Sequence, residues 1–177
     1  GSGSSRHSPR NNYVARVLRE HGVGTLLMDL LTLEEDRDYS RRFDIDLLVE
    51  RLRAAAHWVK QNPDTAALPV GYFGASTGAA AALRAAAHEA SIAAVVSRGG
   101  RPDLASADEL QRVKAPTLFL VGGQDFGVIE LNESAFSHLQ CEKQLVIVPG
   151  ATHLFEEPGT LEKVAEQAAG WFEKNFK

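Results

Sequence analysis

The sequence predicts an α/β domain, a three-layer α/β/α sandwich around a mostly parallel sheet. Three observations lead there. Five short apolar runs, at residues 25–28, 70–73, 92–96, 117–121 and 144–148, are bounded by turn or loop residues. Each is too short for a helix and reads as a buried parallel strand. Helical patterns lie between them, and strands alternating with helices build a parallel sheet through crossovers. Neither an internal repeat nor a low-complexity linker divides the chain, and no insertion is long enough for a large lid. Residues 1–177 therefore read as one domain.

The helices follow from spacing and capping residues. Asn11 and Asn12 can cap a helix with Tyr13, Val14, Val17 and Leu18 on one face, ended by Gly22. Asp44 can cap a longer one carrying Ile45, Leu48, Leu52, Ala55, Ala56 and Val59, stopped near Asn62 and Pro63. The alanine-rich stretch 79–87 is a third, 132–139 a short fourth, and 161–172 a terminal helix with Val164, Ala168, Trp171 and Phe172 inward. Residues 98–114 are the least regular, with one helical turn near 108–113.

Bulk properties bound the function. A chain of 177 residues suits a domain with a real core. The formal net charge of −4 argues against a nucleic-acid partner and a basic membrane-binding face. No apolar run reaches the roughly 20 residues of a membrane span, and no basic-then-apolar leader is seen. Cys141 is the one cysteine, which rules out an intrachain disulfide and points to a reducing, cytoplasmic setting.

Gly74-Ala75-Ser76-Thr77-Gly78 is a G-x-S-x-G segment between an apolar run and a helix-forming stretch. In that context the motif is a nucleophile elbow, a sharp turn that lifts the serine hydroxyl to the end of the sheet. A hydroxyl needs a general base, and the base an orienting acid. In an open α/β sheet both come from loops at the carboxyl ends of strands. Asp125 lies in such a loop after 117–121, and His153 in another after 144–148. The order Ser76, Asp125, His153 completes a predicted triad. The amide of Thr77 is one expected oxyanion donor, and the first loop, at Gly3 or Ser4, the other.

These segments resemble the α/β-hydrolase superfamily, in particular the small cap-less proteins of the dienelactone-hydrolase-like group. The likeness rests on residues 1–11, 74–78, 121–125 and 149–155 and covers nearly the whole chain. It implies a serine hydrolase of small carboxylic esters that works without a cofactor. Lactone or thioester hydrolysis and a non-catalytic binding role on the same fold are the alternatives. Dienelactone hydrolases proper use cysteine as nucleophile, whereas this chain has serine; Cys141 lies outside any elbow. In this fold a strand precedes the oxyanion loop, between those expected at 25–28 and 70–73. The sequence contains no such strand, so an upstream segment or a second chain is expected to complete the sheet.

Several further residues carry weaker expectations. Arg98 and Arg101 follow the 92–96 strand and are candidates to bind an anionic substrate group, with a structural pair to Asp103 or Asp108 as the other reading. His7 is a candidate pocket residue. Asp29 is expected to fix a loop, and Glu156 and Glu157 to form an exposed turn or tune His153. The other histidines, His21, His57, His88 and His138, read as surface residues. No cluster has metal-ligand spacing, so no metal is expected.

Overall fold

Successive side chains of a strand face opposite sides of a sheet, and here they feed two separate cores. The structure, a computed structural model, describes residues 5–177. Its sheet runs β1 (Val70–Ala75), β2 (Ile92–Arg98), β3 (Thr117–Gly122), β4 (Lys143–Val148), with every neighbouring pair parallel. Ala94, Val96, Leu118 and Leu120 pack under α1 (Pro9–Glu20) and α6 (Thr160–Asn175). Tyr72, Val95 and Phe119 pack under α3 (Thr77–Ala87), α4 (Ala107–Arg112) and α5 (Phe126–His138). That is the expected three-layer sandwich.

α3 is buried along nearly its whole length, and alanine makes this possible. Its small side chains let the helix lie close on the sheet while α2 (Ile45–Gln61) packs on its outer side through Ile45 and Leu48. Asp44 caps α2 as expected, its carboxylate accepting from the Leu47 amide at 3.2 Å. The α1 cap differs. Ser8 holds that position and Pro9 the first helical one, where a missing N–H costs nothing. Gly22 ends the helix with φ 78°.

Two expectations need correction. Residues 25–28 form no strand. They join no ladder among the described residues, and β1 is one edge of a four-stranded sheet. A strand exists only through a partner, and an apolar run does not reveal whether its partner is present. The fourth helix is also longer than 132–139. It starts at Phe126, directly after the turn at Gly123 and Gln124 and the N-cap Asp125. The residues before α2 hold two short 3₁₀ segments, Glu35–Arg37 and Tyr39–Phe43. Glu35, paired with Arg51 of α2 at 2.8 Å, fastens this stretch to the helix.

Candidate active site

The nucleophile candidate sits where β1 meets α3. Ser76 is the N-cap of α3 with φ 52° and ψ −123°. A non-glycine residue rarely adopts such a backbone, and it persists only when its surroundings enforce it. They do so from both sides. The Ser76 amide donates to the Arg98 carbonyl at 3.3 Å, and its carbonyl accepts from the Arg101 amide at 3.2 Å. Gly74 explains the first motif glycine. A Cβ there would overlap the Gly78 carbonyl and stand 2.6 Å from Ala79 Cα, so the helix can double back over the strand only without it. Thr77 opens α3, and first-turn amides have no partner within a helix.

Asp125 and His153 meet across β3 and β4. His153 Nδ1 donates to Asp125 Oδ2 at 2.6 Å. This leaves Nε2 with the free lone pair of the neutral ring. Asp125 occupies the N-cap of α5, yet its carboxylate caps no helix amide; it is turned to the histidine instead. Gly122 brings the two loops together. A Cβ there would overlap the Ala151 carbonyl and stand 2.7 Å from that of Thr152. No hydrogen bond joins Ser76 Oγ to His153 among the described residues. Such bonds are often long before substrate binds. The Arg98–Arg101 connection links the two groups, since Gly99 (φ 50°) lies where a Cβ would stand 3.3 Å from the His153 carbonyl.

The histidine turn is pinned at three points. Glu157 accepts from Thr152 N at 3.1 Å and from Thr152 Oγ1 at 2.6 Å, and these bonds hold its carboxyl below the usual range. Glu156 pairs with Arg10 of α1 at 2.9 Å. Phe155, with φ 54°, drives its ring into the core. The sequence signalled an exposed charged turn, and only the contacts reveal Glu157 as its clasp.

The two arginines part company. Arg101 is committed to Asp103 in a bidentate pair at 2.7 and 2.8 Å, the structural reading of that residue. Arg98 is 7% exposed and pairs with no carboxylate among the described residues. Its guanidinium lies 5.9 Å from the Phe73 ring centre, and its Nη1 has no hydrogen-bond partner among the described residues. Burial, with the nearby Arg10 adding to it, pushes its pKa down to about 10. Asp29 fixes a loop as expected, accepting from the Arg6 amide at 2.7 Å and pairing with the Arg6 side chain. His7 stands exposed in the turn before α1. Gly3 and Ser4 lie outside the described residues. Among the described residues no cluster of His, Cys, Asp or Glu suits a metal ion, and no helix is long and apolar enough to cross a membrane.

Comparison with known proteins agrees with this architecture. The dienelactone hydrolase family profile matches residues 36–176. The crystal structure of a dienelactone hydrolase from Anabaena variabilis ATCC 29413 is 58% identical, with a TM-score of 0.95 over 100% of this chain and 84% of that one. Est1E from Butyrivibrio proteoclasticus shares the fold at 18% identity, with a TM-score of 0.82 over 99% of this chain and 85% of that one. Two Mycobacterium tuberculosis proteins, from strains CDC 1551 / Oshkosh and H37Rv, are 61% identical over 97% of this chain and are provisionally named phosphoribosyl transferases. The chain spans only 39% of the length of these curated relatives. The profile covers every element from α2 to α6, the Ser76 turn and the Asp125–His153 pair included, and with the 58% identical structure it establishes that the chain belongs to the dienelactone hydrolase family, within the α/β-hydrolase superfamily.

Proposed function

We propose that the chain hydrolyses small carboxylic esters through an acyl-enzyme on Ser76, and that the internal ester of a lactone is its better substrate. The observation that carries the reading is the 2.6 Å bond between His153 and Asp125, at the same sheet edge as the Ser76 elbow. The family description and the name of the 58% identical relative favour the lactone over an open-chain ester. The phosphoribosyl transferase name belongs to proteins of which this chain spans a minor part, so none of that reaction is assigned to it.

In this mechanism Ser76 Oγ attacks the carbonyl carbon while its proton passes to His153 Nε2. Asp125 fixes the ring and stabilises the imidazolium. The Thr77 amide, with a second donor in the first loop at Gly3 or Ser4, receives the oxyanion. The C–O bond then breaks, and the departing oxygen takes the proton from His153. A lactone's alcohol stays tethered to the acyl group. Water, deprotonated by His153, attacks the acyl-enzyme and releases the hydroxy acid and Ser76. Arg98, buried without a carboxylate partner among the described residues, is the better of the two arginines to hold an anionic substrate group. His7 stands close enough in sequence to the first loop to line the entrance. A single half-buried thiol fits a reducing, cytoplasmic setting. The edge of β1, unpaired among the described residues, supports a further strand, from an upstream segment or a second chain, as the completion of the sheet.

Two measurements test this. A fluorophosphonate probe should label the wild type at Ser76 and leave Ser76→Ala unlabelled. Hydrolysis of p-nitrophenyl acetate and of a small γ-lactone should both vanish in Ser76→Ala, with the lactone showing the higher kcat/KM in the wild type. An unlabelled wild type would mean a binding protein on a hydrolase fold.

A further inference from the structure

We propose that Asn132 is a positioning residue that ties the helix carrying Asp125 to the loop holding Ser76. It thereby sets the nucleophile against the acid–base pair. This rests on the hydrolase reading above.

Asn132 lies inside α5 and is fully buried. Asparagine is a weak helix former, and a buried amide is costly unless hydrogen-bonded. Its nitrogen makes two bonds, to the Val128 carbonyl at 2.7 Å and to the Gly100 carbonyl at 3.1 Å. The opposite amide orientation would set its oxygen against two carbonyl oxygens, so the donor assignment is fixed by the partners. One bond stays within α5, one turn from its start, where the Val128 amide donates to the Asp125 carbonyl at 3.0 Å. The other leaves the helix and grips the connection after β2.

That connection touches two parts of the candidate triad, Ser76 and His153. Arg98 and Arg101 bond the amide and carbonyl of Ser76. Gly99 lies against His153. Gly100 is wedged so tightly that a Cβ would stand 2.8 Å from the Ala79 methyl of α3 and overlap Ser97 Oγ. A loop packed this closely transmits a displacement rather than absorbing it. The Asn132 amide ties it to the helix of the acid through the Gly100 carbonyl. Removing the tie also leaves the buried Gly100 carbonyl without that donor.

A merely structural asparagine would lower stability and leave turnover by folded protein unchanged. The test uses wild type, Asn132→Leu and Asn132→Asp. For each, kcat and KM on p-nitrophenyl acetate, the rate of fluorophosphonate labelling and the melting temperature are measured. Asn132→Leu should lose about tenfold or more in kcat, the scale expected of a small misplacement. Its KM should stay within about twofold of wild type, and labelling should slow in parallel. Asn132→Asp supplies the second readout. Its ionised carboxyl donates nothing, while the protonated form regains one donor. The ratio of its kcat to that of wild type should therefore climb as pH falls.

Wild-type kcat and labelling rate in Asn132→Leu would overturn the inference, as would a flat ratio for Asn132→Asp. If Asn132→Leu fails to fold, the pH dependence of that ratio decides alone. A wild type that the probe does not label overturns the hydrolase reading itself. A labelled wild type matched by Asn132→Leu overturns only the positioning role.

Discussion

Asp125 spends its carboxylate on His153 when it stands where a helix cap would use it. A capping aspartate stabilises a helix by about 0.5–2 kcal/mol, so this use of the side chain forgoes a stabilising contact for an orienting one. Asparagine has nearly the same shape but can present N–H to Nδ1, which favours the other tautomer and leaves Nε2 unable to take a proton. Asp125→Asn should therefore lower kcat on p-nitrophenyl acetate by roughly 10³–10⁴-fold, as loss of the acid's orienting role does in serine hydrolases, with little change in melting temperature. Gly122 makes the same point through packing. Gly122→Ala would press a methyl against the Ala151 and Thr152 carbonyls. It should cost about 1–3 kcal/mol in urea unfolding, as overpacking does, and lower kcat further by parting the acid and base loops. Equal activity in either variant would count against the assigned roles.

At the scale of elements, periodicity reveals what stands on its own, and contacts decide the rest. The strands at 70–73, 92–96, 117–121 and 144–148 were legible because continuous apolar runs bounded by turn residues suit burial on both faces of a sheet. Residues 25–28 have the same composition and form no strand, since composition does not encode a partner. Ser76, Asp125 and His153 were legible as residue types at strand ends. The contacts of Asn132 with Gly100 and of Gly122 with Ala151 and Thr152 were not, because they join residues distant in sequence and leave no periodic trace. The tether between α1 and α6 is of that kind. His21, past the end of α1, approaches Glu173 at 3.0 Å and Glu166 at 3.3 Å, both on α6. The hydrogen bond to Glu173, with the charges of both carboxylates, raises its pKa above the usual histidine value of 6.5. A raised folded-state pKa means the protonated form is favoured by folding. The contribution is complete below about pH 6.5 and fades as pH rises through the higher folded value. Urea unfolding of wild type and His21→Gln should thus differ most at pH 5–6 and converge at alkaline pH. A difference that grew with pH would refute this account of the tether.

For the whole molecule, the decisive asymmetry lies between the two edges of the sheet. Exposed strand edges invite pairing with another chain, and proteins blunt them with lysine, proline or short strands. At one edge, β4 carries Lys143, whose ammonium donates to the Phe136 and Leu139 carbonyls at 2.7 Å. At the other, β1 reads Val-Gly-Tyr-Phe-Gly-Ala, without a charge or a proline inside it. Its face is well covered, since a Cβ on Gly71 would stand 2.6 Å from the Phe172 ring and 2.9 Å from that of Phe176. Among the described residues its edge has no strand beside it. In a parallel pair, alternate amides point to opposite sides, so only half of those in β1 are satisfied by β2. The polypeptide of residues 1–177 should consequently self-associate through this edge. Its mass by light scattering should rise with concentration, and amide exchange at alternate β1 positions should slow in step. Supplying a strand that pairs with the edge should abolish the association and protect the same alternate amides. A polypeptide that stays monomeric at every concentration would show that the β1 edge needs no partner strand.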